Sequence, residues 1–171
     1  LALGEQVRVV MTGQDVEVDT AVVQGIRDPL THLVRNAVSH GIERPEARVA
    51  AGKDPVGTVW LRARHEAGRV VVEVGDDGAG MDRAAIARRA RETGLCLEPE
   101  RLADDALLRL VLEPGFSTAA QVTEISGRGI GMDVVRRNID ALRGRIDIAS
   151  TPGAGTTISN KLPLTLAILD G

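Results

Sequence analysis

At 171 residues with a formal charge of -3, the chain is long enough for one domain with its own core, and it has no basic excess to attract nucleic acid. Trp60 and Phe116 are its only aromatic residues, so the core must be aliphatic. Cys96 is the only cysteine, which excludes an internal disulfide and leads us to expect a reducing, cytoplasmic setting; no apolar run is long enough to cross a bilayer, so direct membrane insertion is not expected.

In chain order, residues 7–11 read as a strand, Gly13-Gln14-Asp15 as a turn, and residues 16–18 as a short return strand. Residues 19–27 read as helix with Asp19 as its cap. A second start signal follows, with Asp28 as cap and Pro29 at the first helical position. Leu30, Leu33, Val34, Ala37 and Val38 then recur at helical spacing until Gly41. Residues 42–56 read as loop with one further helical turn. Residues 58–65 and 69–75 form a hairpin across Glu66-Ala67-Gly68, with Val59, Leu61 and Ala63 on one face and Trp60, Arg62 and Arg64 on the other. Asp82 caps a helix ending at Gly94, and Pro99 opens another to about Leu112. Residues 113–128 are polar and without period, which predicts a mobile loop. Residues 129–142 read as a helix closed by Gly144, and residues 145–149 and 156–162 as a second hairpin. The order predicts an α+β fold: a two-layer sandwich, with a mixed, mostly antiparallel sheet covered by helices on one face.

Four short blocks in this order carry the chemistry. The first is Asn36 on its helix, with His32 and His40 at i-4 and i+4 and therefore on the same face. An asparagine oxygen is a hard, neutral ligand suited to Mg²⁺, although Asn36 alone equally fits a residue that bonds nearby backbone. The second is Asp76-Asp77-Gly78-Ala79-Gly80. A carboxylate there can accept from the exocyclic amine of adenine and would repel the carbonyl of guanine, while Gly78 and Gly80 let a flat base approach. Alone, it also reads as a simple turn. The third is Gly127, Gly129 and Gly131 before a helix, a cradle for phosphate oxygens that in isolation could be a linker. It follows Phe116-Ser117-Thr118, which can fold over a nucleotide as a lid. The fourth is Gly153-Ala154-Gly155-Thr156. Together they point to a site for a purine nucleoside triphosphate and its metal. The common phosphate loop is excluded, because Ala51-Gly52-Lys53-Asp54 lacks both the earlier glycine and the hydroxyl.

Residues 28–43 resemble the N box of chemotaxis-type histidine autokinases, the CheA family. Residues 114–118 resemble the F box, residues 126–133 the second glycine box, and residues 162–168 the stretch leaving this domain toward a regulatory module. The resemblance implies a Bergerat-type ATP-binding (GHKL) fold over residues 1–171 as a single catalytic domain, with a lid at about 113–128 and an exit linker at 163–171. It implies ATP and Mg²⁺ as cofactors. Asp76 would read adenine, with Gly78 and Gly80 beside it; Asn36 would hold Mg²⁺; and Gly127, Gly129 and Gly131 would close on the triphosphate, with Ser117 and Met132 beside them. Thr156 would reach adenine through water, and Arg35, His40 and Arg89 match positions that can approach phosphate. His32 stands where most sensor kinases carry an acid. Residues 159–161, Ser-Asn-Lys, depart from a usually apolar stretch, and Asn160 would need a partner if it faced the core.

The function so implied is transfer of the ATP γ-phosphoryl group to a histidine on a separate phosphotransfer domain, with His32 and Asn36 as catalytic residues. The family's acceptor domain is absent from these residues, so the acceptor is expected in trans. The implied partners are that phosphotransfer domain, the dimerisation and regulatory domains of the same parent kinase and, through the parent, receptor or adaptor proteins and a response regulator. The alternatives are a non-kinase ATPase of the same fold and a degenerate nucleotide-binding scaffold.

Overall fold

A computed structural model of the chain describes residues 7–13, 20–116 and 132–163. Five strands form one sheet: β1 (Val7–Thr12), β2 (Gly57–Glu66), β3 (Arg69–Asp76), β4 (Arg145–Thr151) and β5 (Gly155–Pro163). Their spatial order is β1-β2-β3-β5-β4, with β1 parallel to β2 and every other pair antiparallel. The two predicted hairpins are present, and β3 and β5 join them at the centre. β2 turns into β3 through Ala67 and Gly68, both with positive φ, the signature of a two-residue type I′ turn.

Strand alternation sorts the faces. Val59, Val70, Val72, Val74, Ile146, Ile148 and Leu162 are buried on the helix side. The other side carries a polar grid in which Arg64 pairs with Glu66 and Glu73, Ser159 donates to Glu73, and Asp147 meets Arg145 and Lys161. Trp60 also lies there, over the backbone of Gly75 and 4.7 Å from the Arg62 guanidinium. The helices α1 (Thr20–Asn36), α2 (Pro45–Ala50), α3 (Arg83–Thr93), α4 (Asp104–Arg109) and α5 (Met132–Ala141) supply the second layer. Asp82 caps α3 by accepting from Ala85 N–H at 3.1 Å, and Gly94 ends it in the left-handed conformation, both as expected.

The structure corrects the reading of residues 19–41. No helix starts at Asp28; α1 runs through Asp28 and Pro29 without interruption. Val22, Ile26, Pro29 and Leu33 are buried at intervals of three and four, so one apolar stripe crosses the proline. Burial of that stripe outweighs the roughly 3 kcal/mol that an internal proline costs. Past Asn36 the helix widens into a single π turn, Ala37–Gly41, closed by Ile42 N–H donating to Ala37 O at 3.0 Å. The even spacing of His32, Asn36 and His40 is thereby broken. His32 is buried, Asn36 half-buried and His40 exposed.

Two further corrections concern helix ends. Residues 99–112 form three pieces: 3-10 turns at Pro99–Arg101 and Leu110–Leu112 with α4 between them. Leu102 and Ala103 are extended, and the break directs Leu107, Leu108, Val111 and Leu112 into the core. After α5 it is Arg143, not glycine, that takes the left-handed position, while Gly144 N–H donates to Ile139 O at 2.9 Å. A methyl at Gly144 would fall 2.8 Å from Lys161 O, so glycine there serves close packing. Asn160 does face the core and is fully buried, and it has a partner: Nδ2 donates to Val72 O at 3.0 Å. The readings at residues 14–19 and at the start of the 129–142 helix lie outside the described residues.

Candidate nucleotide site

β3 ends at Asp76, whose carboxyl is buried beneath a turn that only small residues permit. Its Oδ1 accepts from Gly78 N–H at 2.9 Å, and Thr156 N–H from β5 also bonds the carboxyl. A methyl at Gly78 would sit 1.7 Å from Gly41 O, and one at Gly155, where φ is +125°, would sit 1.9 Å from Asp76 O. Ala79 N–H donates to Gly41 O at 2.9 Å and Gly153 N–H to Ala79 O at 2.8 Å, lacing the π turn, this loop and the β4–β5 hairpin together. Burial pushes the Asp76 carboxyl above the ordinary range. The Gly78 and Thr156 N–H groups oppose that, and the nearby Asp77 and Glu43 carboxylates add to it.

A cavity of about 430 Å³ opens beside this carboxyl. Asn36, Ala37, His40 and Gly41 line it from the helix, Val74, Asp76, Thr156 and Ile158 from the sheet, and Gly80 and Met81 from the loop between β3 and α3. Leu33, Val111, Phe116 and Met132 complete it. The wall is therefore largely apolar, with Asp76 as the only acid among the described residues that line it. A flat heteroaromatic ring with a donor at one edge suits such a lining. Ser150 Oγ accepts from Met81 N–H at 2.7 Å and lies 2.9 Å from Thr156 Oγ1, which fixes the hydroxyl at the sheet edge.

Asn36 donates through Nδ2 to Met132 Sδ at 3.4 Å, leaving Oδ1 buried and without a hydrogen-bond partner among the described residues. An orphaned amide oxygen on the cavity wall fits a hard cation. Among the described residues no group of three or more His, Cys, Asp or Glu could hold a metal, so such a cation would take its other ligands from phosphate and water. His32, one turn before Asn36, is buried outside the cavity lining, with Nε2 unpartnered among the described residues. Burial, then the Arg35 charge, holds its imidazole below the ordinary range and therefore neutral.

Of the residues singled out in the sequence, Asn36, His40, Asp76, Gly80, Met132 and Thr156 come together on one cavity. Gly78 lies behind it as a donor to Asp76. Arg35 is exposed on α1, away from the lining, and Arg89 Nε donates to Phe116 O at 2.7 Å, tying α3 to the segment before residue 117. Ser117, Gly127, Gly129 and Gly131 lie outside the described residues.

Sequence reasoning missed the apolar lining and a partly buried charge cluster behind the turn. Arg48, 1% exposed, pairs with Glu43 at 2.8 Å and Asp77 at 3.2 Å, and Lys53 pairs with Glu43 at 2.7 Å. Burial pushes the Glu43 carboxyl up, but bonds from Lys53, its own backbone and Arg48 more than offset this and leave it lowered. The one available hint was that Lys53 is one of only two lysines in the chain.

A family profile described as histidine kinase-, DNA gyrase B-, and HSP90-like ATPase matches residues 25–166. The chemotaxis protein CheA of Rhizobium meliloti is 51% identical over 168 residues, which cover 98% of this chain and 22% of that protein. The chemotaxis protein CheA of Salmonella typhimurium is 52% identical over 169 residues, covering 99% and 25%. The chain thus spans about a quarter of the length of these curated relatives. Among solved structures, the histidine kinase domain of the Erythrobacter litoralis EL346 blue-light activated histidine kinase aligns with a TM-score of 0.55 at 18% identity, over 94% of this chain and 56% of that one. Full-length ShkA in complex with AMPPNP aligns with a TM-score of 0.61 at 19% identity, over 96% and 27%. At these identities the structural likeness is one of fold.

Proposed function

The chain belongs to the family of histidine kinase-, DNA gyrase B- and HSP90-like ATPases, and on that premise we propose that it is the ATP-binding catalytic domain of a chemotaxis-type histidine kinase. It would pass the ATP γ-phosphoryl group to a histidine of a phosphotransfer domain. The identity of about half its residues to chemotaxis kinases over nearly its whole length supports the kinase reading. The observation that carries the nucleotide reading is the buried Asp76 carboxyl, the only acid among the described residues that line a largely apolar cavity.

In this reading ionised Asp76 accepts from the adenine 6-amino group, and Val74, Ile158 and Met81 flank the base. Thr156, with its hydroxyl held by Ser150, lies where it bonds the base through water. Asn36 would hold Mg²⁺ through its Oδ1, and the ion would supply positive charge against the phosphates. His40 lines the same wall, and Arg35 and Arg89 add positive charge at the helix surface and beside Phe116. An acceptor imidazole is already nucleophilic, so the domain's task is positioning and charge neutralisation, in which Asn36 and the glycine loops matter more than the second catalytic candidate, His32. We further assign residues 113–128 as a lid closing on the triphosphate with Ser117, Gly127, Gly129 and Gly131, and residues 163–171 as an exit linker. The partners are the parent's phosphotransfer, dimerisation and regulatory domains, and through them a receptor complex and response regulator, in the cytoplasm.

Titration with ATP, with and without Mg²⁺, tests this on wild type and Asp76→Asn by calorimetry. Trp60, which packs over Gly75 beside Asp76, provides a fluorescence signal. Magnesium-assisted binding lost in the variant, followed by phosphoryl transfer to a supplied phosphotransfer domain, is the expected result. A folded wild type that binds no ATP sinks the nucleotide reading; ATP hydrolysis without transfer would sink only the kinase half.

A further inference from the structure

The peptide group between Asp77 and Gly78 has two ends with different partners. Its N–H donates to Asp76 Oδ1 at 2.9 Å. Its carbonyl, on the opposite side of the same trans plane, accepts from Lys53 Nζ at 3.0 Å and from Arg48 Nη1 at 3.1 Å. Lys53 also donates to Gly78 O at 2.9 Å and Glu43 at 2.7 Å, which uses all three ammonium hydrogens. Arg48 is anchored in turn by Asp54 O at 2.6 Å and Glu43 at 2.8 Å. Two cations on the carbonyl end hold the peptide plane in place and polarise the N–H that faces Asp76.

We propose that Lys53, supported by Arg48 and Glu43, is a positioning residue for purine selectivity: it orients the Asp77–Gly78 peptide, whose N–H holds Asp76 Oδ1, so that the Asp76 carboxylate is presented to the 6-amino group of adenine. This rests on the nucleotide reading above. None of Glu43, Arg48 and Lys53 lines the cavity, so the effect passes through one peptide plane and not through contact with the base. A loss confined to nucleotides with a 6-amino group is therefore the signature, because a general loosening of the fold would weaken every nucleotide.

The test measures dissociation constants of the full chain for ATP and for inosine triphosphate, which carries a carbonyl in place of the 6-amino group. The proteins are wild type, Lys53→Met, Lys53→Arg, Asp76→Asn and the Lys53→Met/Asp76→Asn double variant. Lys53→Met should weaken ATP about tenfold and leave inosine triphosphate within about twofold, and Lys53→Arg should restore most of the preference. In the Asp76→Asn background the same change should have no further effect on ATP. Equal losses for both nucleotides, an unchanged ratio, or additive losses in the double variant would each overturn the proposal. Should Lys53→Met not fold, Lys53→Gln carries the comparison, and an unchanged ratio there is equally fatal. A wild type with no preference for ATP over inosine triphosphate removes the nucleotide reading itself, an outcome distinct from a preference that ignores Lys53.

Discussion

Asn36 and Met132 stand 96 positions apart in the chain, yet the amide nitrogen of one donates to the sulfur of the other at 3.4 Å on the wall of the cavity. The contact orients the Asn36 amide so that its nitrogen faces a soft acceptor and its oxygen is left without a partner among the described residues. An amide oxygen kept free in this way is available to a hard cation or a hydrogen-bond donor.

Replacement of Asn36 by alanine should therefore remove the metal-dependent part of ATP binding selectively. Calorimetry should show the gain in affinity on adding Mg²⁺ shrinking by at least about tenfold, while affinity in chelator stays within about twofold of wild type. An equal loss with and without Mg²⁺ would show that Asn36 shapes the cavity and does not hold the ion.

Asp76 gives opposite pH trends for folding and for binding. Its folded-state pKa is raised, chiefly by burial, so its contribution to stability is greatest below the ordinary aspartate range and is lost as pH rises through the raised value. Adenosine, which has no phosphate to titrate, needs the ionised carboxylate, so its affinity should grow over the same window. Parallel pH series of thermal unfolding and adenosine binding should show the two slopes with opposite sign, and both should vanish in Asp76→Asn. Matching signs would contradict the assignment.

Asn160 is fully buried with Nδ2 bonded to Val72 O and Oδ1 without a partner among the described residues. Asn160→Leu loses one hydrogen bond and relieves one orphaned acceptor, so unfolding free energy should move by no more than about 1 kcal/mol. Asn160→Asp buries a charge among aliphatic residues and should destabilise by about 3 kcal/mol or more at neutral pH. Denaturant melts of both variants provide the check. A large loss in the leucine variant would mean that the amide specifies the β3–β5 register.

Ala67 adopts φ +50° at the exposed tip of the β2–β3 hairpin, followed by Gly68 at φ +80°. Asparagine tolerates this conformation better than alanine and restores the preferred Asn-Gly pair of a type I′ turn. Ala67→Asn should raise stability by about 0.5–1 kcal/mol without affecting nucleotide binding, as read from the thermal midpoint. A lower midpoint would argue that the turn is held by contacts other than its own backbone preference.

Much of this was legible in residue types alone. Alternation in β2 and β3, the Asp82 cap with Gly94, and the glycines around Asp76 each act over a few neighbouring residues, so the hairpins, α3 and the carboxylate before its turn could be read directly. Asn36 and Asp76 could be chosen as candidate site residues from the chemistry of their own blocks, and Thr156 only through the family resemblance. The Asp28-Pro29 signal shows the limit: a valid local start was overruled because Val22, Ile26, Pro29 and Leu33 share one buried stripe, and burial summed over a helix exceeds the penalty of one proline.

The sequence by itself determined the α+β layering, the order of the blocks, and the small residues that let the chain approach Asp76. Only the tertiary structure decided which groups meet. The Asn36–Met132 contact, the Asn160–Val72 bond and the Lys53–Asp77 clamp each join segments that have no mutual period or propensity. Such contacts depend on how sheet and helices pack, and hydrogen bonds and buried ion pairs act only over the few ångströms that packing sets.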